Sequence, residues 1–210
     1  RFRAAVYKKR AEWEKNGKPY HKALAKGDKF PEITYSSHYG KDRKLRDTVT
    51  KKTLLIFSRY YECDICKKTL DTFKKYQRVF RMMGIDIKFI IQSDIDTVSR
   101  IQSNYPFEII SDPDAVFYDM FNIFEANSMI NMVAGDKMFE EMTKGDVRNL
   151  LDTDLINGFI SDSSEFSHRE LQLSAFIGID KSLNVIYSHY CKTIGDFPEA
   201  GKLLGAMRKS

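Results

Sequence analysis

The hydrophobic positions of this chain change period just before a pair of cysteines. Thr53–Ser58 carries the apolar run Leu54-Leu55-Ile56-Phe57, which has strand character. Leu70, Phe73, Gln77 and Phe80 then fall at helical spacing, with Lys67, Lys68, Lys74, Lys75, Arg78 and Arg81 mostly on the other faces. The pattern predicts a buried strand followed by an amphipathic helix that stops at Gly84. Ile85, Ile87, Phe89 and Ile91 alternate, with Ile90 also apolar, which predicts a second strand, buried on at least one face. Ser93 or Asp94 is placed to cap a helix carrying Ile95, Val98 and Ile101. Phe107–Ser111 reads as a further strand, and Pro113 as the first helical position before Ala115, Val116, Phe117, Met120 and Phe121.

The flanks are less regular. Residues 1–26 are basic, with a loose helical stripe of Phe2, Ala5, Val6, Tyr7 and Trp13, and are expected to form an N-terminal helical extension to a main domain over 27–210. Gly27–Pro31 reads as a turn, Glu32–Ser36 as a short edge strand, and His38–Asp47 as a polar hairpin or loop around Gly40. Residues 124–168 interrupt the rhythm. They include Met129, Met132, Met138 and Met142 and end in the polar run Ser161–Arg169, which predicts a helical insertion whose methionines serve adaptable packing. Strands over Leu173–Asp180 and Val185–Tyr190 follow, and then a closing helix from Pro198 with Ala200, Leu203, Leu204 and Met207. Alternating strands and helices followed by an antiparallel hairpin give an α/β class, with a mixed central sheet flanked by helices.

Composition narrows the field. The 210 residues are 42% hydrophobic, enough for a normal core. No run approaches the ~18 apolar residues of a membrane helix, so no membrane partner is expected. The net charge of +5 is spread along the chain, so a solvated basic face is expected rather than a nucleic-acid site. Three cysteines do not build a secreted disulfide framework. In a reducing, cytoplasmic setting a close pair reads as redox or metal chemistry.

That pair is Cys63-Asp64-Ile65-Cys66, at the handover from strand to helix. The first amides of a helix lack internal partners, and the helix dipole adds roughly half a positive charge there. Both favour thiolate, and cysteines at such positions titrate well below the free value of about 8.5. Arg59, Lys67 and Lys68 push the same way, while Glu62 and Asp64 oppose them. Cys63 is expected in the first helical turn as the exposed attacking thiolate. Cys66, one turn on along the same face, is expected to resolve it.

Strand, C-x-x-C at a helix start, βαβ, hairpin and final helix is the thioredoxin order. Several strings resemble its peroxiredoxin-like branch, the alkyl hydroperoxide reductase and thiol-specific antioxidant family. They are Gly27-Asp28-Lys29-Phe30-Pro31-Glu32-Ile33; Tyr105–Asp114 with Tyr118 and Phe121-Asn122-Ile123; and Leu171–Asp180 with Val185–Tyr190 and Ile194-Gly195-Asp196-Phe197-Pro198. The resemblance spans roughly residues 27–207. It implies a thioredoxin-like fold and an antioxidant thiol oxidoreductase with no cofactor and no metal. It also implies a peroxide or disulfide substrate, a thiol reductant (a thioredoxin-like protein or a small thiol), and a homodimer as one form of assembly.

The chain departs from that family at specific positions. Peroxiredoxins carry a proline seven residues and a threonine or serine three residues before the attacking cysteine; here these are Ile56 and Tyr60. The arginine six residues before the hairpin aspartate, Asp180, is replaced by Ser174, which also stands where thioredoxins place a cis-proline. Arg59, Tyr60 and Ser174 are therefore the candidates for substrate binding and thiolate activation, with Arg169 a second source of charge. Two alternatives stand beside this reading. One is a zinc site of Cys63, Cys66 and Cys191 with one of His21, His38, His168 or His189. The other is a redox-inactive thioredoxin-fold module that binds partners. Cys191 is expected to be a buried, idle thiol, His189 a satisfied sheet residue, and Asp112 and Asp114 turn and cap residues.

Overall fold

Leu54, Leu55, Ile56 and Phe57 are all fully buried, and their neighbours explain why. The computed structural model of the protein describes residues 23–61, 63–126, 132–143 and 171–209. Strand β3 (Lys52–Phe57) has β4 (Ile85–Ile91) parallel on one side and β6 (Ala175–Ile179) antiparallel on the other. With β1 (Thr34–Ser37), β2 (Gly40–Lys44), β5 (Glu108–Ser111) and β7 (Val185–Tyr190) they form one seven-stranded mixed sheet, ordered β2-β1-β5-β4-β3-β6-β7. Successive side chains of a strand point to opposite faces. Leu55 and Phe57 thus enter a core with Phe30, Tyr118 and Phe121, while Leu54 and Ile56 enter a second core with Leu70, Phe73, Phe80 and Phe89. Each such buried side chain contributes about 1.5–3 kcal/mol.

Helix α1 (Leu45–Thr48) follows β2. Helix α2 (Asp64–Met82) lays Leu70, Phe73 and Phe80 on the second core, and Gly84, at φ +71°, turns the chain into β4. Helix α3 (Ile95–Gln102) is capped by Asp94, whose carboxylate accepts from the Thr97 amide at 2.7 Å. Helices α4 (Val116–Met120), α5 (Lys137–Thr143) and α6 (Ala200–Arg208) complete the described elements. Among the described residues no helix is long and apolar enough to cross a membrane.

Three expectations are corrected. The segment read as an edge strand over Glu32–Ser36 is β1, which lies inside the sheet between β5 and β2, so the edge belongs to β2. The helix expected to open at Pro113 begins at Val116, because Asp112 accepts from the amides of both Val116 and Phe117 at 2.9 Å and fixes the start there. The closing helix starts at Ala200 rather than Pro198. The N-terminal extension over 1–22 and the stretches 127–131 and 144–170 of the insertion lie outside the described residues, and so do His21, His168 and Arg169.

Candidate active site

The site forms where β3 runs out. Backbone pairing continues past the strand: Ser58 N donates to Ile90 O at 2.9 Å, Gln92 N to Arg59 O at 2.7 Å, and Tyr61 N to Ser93 Oγ at 3.1 Å. The Tyr118 hydroxyl bonds the Ser58 carbonyl and also the Ile90 carbonyl at 2.9 Å, tying α4 to the same loop. The chain then turns, with Cys63 N donating to Tyr60 O at 3.3 Å, and α2 begins. Cys63 is its N-cap, one position before the expected first turn, with extended backbone. Its sulfur accepts from the Cys66 amide at 3.4 Å. An N-cap acceptor satisfies one of the amides that a helix start leaves open.

Arg59, Tyr60, Cys63 and Cys66 come together. Arg59 Nη1 lies 3.7 Å from Cys63 Sγ, Nη2 lies 3.5 Å from the Tyr60 hydroxyl, and the guanidinium stands 5.0 Å from the Tyr60 ring centroid. Arg59 is only 1% exposed, so its charge acts in a medium of low polarizability. Burial pushes the Cys63 thiol up. A hydrogen bond from the Cys66 thiol, the Arg59 charge and the amides of Cys66 and Ile65 outweigh it, and Cys63 titrates at about 6. Burial, together with that hydrogen bond to Cys63 and the Cys63 charge, pushes Cys66 well above its ordinary range. One sulfur is thus ionised at neutral pH and its neighbour holds a proton. Both are free thiols.

One expectation fails here. Cys63 is not exposed: it is 5% accessible, and Cys66 is 2% accessible. The cover comes from far along the chain, because Met132, Phe139, Leu173 and Ile194 pack with Tyr60 and Ile65 around both sulfurs. Ser174 is not joined to either cysteine by a hydrogen bond among the described residues. It is buried just before β6, and its carbonyl accepts from Cys191 N at 3.0 Å. No peptide bond among the described residues is cis, so Ser174 does not reproduce a cis-proline. Lys67 stands over the Tyr61 ring at 5.3 Å. Glu62 and the Asp64 side chain lie outside the described residues.

Two residues outside the pair have their surroundings defined. Cys191 is buried, and burial with the charges of Asp196 and Asp136 pushes its thiol well up. His189 Nε2 is 2.8 Å from the Asp196 carbonyl. Among the described residues no three His, Cys, Asp or Glu side chains are grouped to hold a metal ion. A cavity of about 390 Å³ opens beside the site, bordered by Phe124, Ala126, Leu173 and Cys191. The covering residues escaped sequence reasoning because their apolar pattern reads as ordinary core. Asp136, between Gly135 and Lys137, gave no signal either, although it is 3% exposed.

A family model described as AhpC/TSA matches residues 26–148. The match stops before the final hairpin, whose resemblance rests on its own strings. No curated protein matches the chain. Similar solved structures include the peroxidoxin BcpB from Mycobacterium tuberculosis, 12% identical with TM-score 0.59 over 89% of this chain and 97% of that one. A thiol peroxidase from Chromobacterium violaceum is 12% identical with TM-score 0.58 over 92% and 94%. A putative thiol:disulfide interchange protein DsbE from Chlorobium tepidum is 16% identical with TM-score 0.52 over 88% and 99%. At these identities the solved structures speak to the fold, and the mixed sheet with its flanking helices is the thioredoxin-like one they share.

Proposed function

The chain belongs to the AhpC/TSA family and is a thiol oxidoreductase, and from that premise we propose that Cys63 is its nucleophile and Cys66 its resolving thiol. The supporting observation is the buried Arg59 guanidinium 3.7 Å from a sulfur that also caps α2. The thiolate attacks the terminal oxygen of a hydroperoxide. The O–O bond breaks, an alkoxide leaves and takes a proton, and Cys63 becomes a sulfenic acid. The Cys66 thiol loses its proton and attacks that sulfur, water leaves, and a Cys63–Cys66 disulfide forms. An external dithiol returns both electrons and both protons. Tyr60 and Arg59 line the point of attack, and the Tyr60 hydroxyl is the nearest replacement for the hydroxyl found three residues before the cysteine in peroxiredoxins.

A second reading is disulfide reduction by the same pair. It is favoured by the C-x-x-C spacing itself and by Ile56 and Tyr60 standing where peroxiredoxins carry proline and threonine. The reductant is a small thiol where the site stays covered and a thioredoxin-like protein where it opens, in a reducing, cytoplasmic setting. A homodimer is the assembly to test by sedimentation. Competition kinetics of the reduced protein with hydrogen peroxide against a disulfide tests the reading. Cys63→Ser is expected to abolish both reactions, and Cys66→Ser to leave a persistent sulfenate or mixed disulfide. Unchanged turnover in Cys63→Ser would remove the proposal.

A further inference from the structure

The segment that covers the cysteines is fastened by one carboxylate. Asp136 Oδ2 accepts from the Thr193 hydroxyl and from the Gly195 amide, both at 2.6 Å, while Oδ1 accepts from Phe139 N at 2.9 Å. The same side chain thus caps α5 and ties it to the loop that follows β7. Ile194, between the two donors, gives its amide to Met132 O at 2.9 Å. The approach is closer than any other residue type would allow, since a Cβ at Gly195 would stand 2.5 Å from Asp136 Oδ1 and 2.8 Å from Met138 Cβ. Met132, Phe139 and Ile194, all placed by this fastening, pack with Cys63 and Cys66.

We infer that Asp136 is a specificity-determining latch: while it holds residues 132–143 in place, the site admits small hydroperoxides and excludes protein disulfides. This rests on Cys63 being the nucleophile. Approach to the sulfur separates the two substrates. A hydroperoxide reacts through one terminal oxygen and needs only a narrow path to the Cys63 sulfur. A disulfide must align its S–S bond with the attacking thiolate and carry the chains on both sulfurs to the same place. Around a Cys63 that is buried in one packed cluster with Phe139 and Met132, those chains are held off the sulfur. Releasing the latch opens the exchange reaction. Cys63 then attacks one substrate sulfur and expels a thiolate, which takes a proton. Cys66 attacks Cys63, forming the internal disulfide and releasing the second substrate thiol.

The test is single-turnover oxidation of the pre-reduced full chain by hydrogen peroxide and by insulin, read by mass after acid quenching. The wild type is expected to react with peroxide in preference to insulin. Asp136→Ala is expected to raise the insulin-to-peroxide rate ratio about tenfold or more, with the peroxide rate changing by less than about threefold. Thr193→Val, which removes one bond from the opposite side, is expected to shift the ratio the same way if Asp136→Ala folds poorly. A ratio that stays put in both variants overturns the latch, and so does a parallel fall of both rates. Cys63→Ser run alongside separates the two ideas. Continued oxidation there removes the nucleophile assignment and the latch with it, whereas an inert Cys63→Ser with an unmoved ratio rejects the latch alone.

Discussion

Arg59 and Cys63 are four positions apart in sequence and form one electrostatic unit in the fold, with 3.7 Å between Nη1 and Sγ. The sign of its pH dependence follows directly. Thiolate is the reactive form and its population rises with pH, so alkylation of Cys63 by iodoacetamide should climb through about pH 6 and level off above it. Arg59→Met removes the buried charge and should move that midpoint upward, toward the free-thiol value of about 8.5, with roughly a tenfold loss of rate at pH 7. A pH profile of alkylation in both proteins checks this, and an unmoved midpoint would refute it. The charge partner was legible in the sequence, because Arg59 lies on the same short loop as Cys63. The burial of Cys63 was not, because Phe139 and Ile194 are brought to it only by tertiary packing.

Elements were legible where local chemistry decides them. Asp94 was one of two caps expected for α3, and it accepts from the Thr97 amide as a cap should. Asp94→Ala should therefore cost about 1 kcal/mol in urea denaturation while leaving the pH midpoint of Cys63 alkylation in place. A cost near zero would mean the cap is idle. The start of α4 misled because Pro113 suits a first helical position, yet Asp112 reaches past it to two later amides. The place of β1 misled for a different reason. A short polar strand reads as an edge, but β1 pairs with β5, and its polar side chains meet Glu108 of that strand. That carboxylate accepts from Ser37 Oγ at 2.7 Å and from the Tyr35 hydroxyl at 3.2 Å, and it pairs with Lys88. Such a buried ion pair joins residues that no local pattern connects.

At the scale of the molecule, a sheet buried on both faces holds α2, and α2 holds the cysteines. The continuous apolar run of β3 made that sheet legible, since alternation would have left one face to water. Phe80 anchors the far end of α2 and is fully buried against Phe73. Phe80→Ala should cost about 3–5 kcal/mol in urea denaturation and lower activity only through loss of folded protein. The most direct test of the central claim is peptide mapping of the reduced protein after one equivalent of hydrogen peroxide. The expected result is loss of two hydrogens, a linkage between Cys63 and Cys66, and a Cys191 that is still a free thiol once the protein is unfolded for labelling. A linkage through Cys191, or a Cys63 that stays reduced, would contradict it.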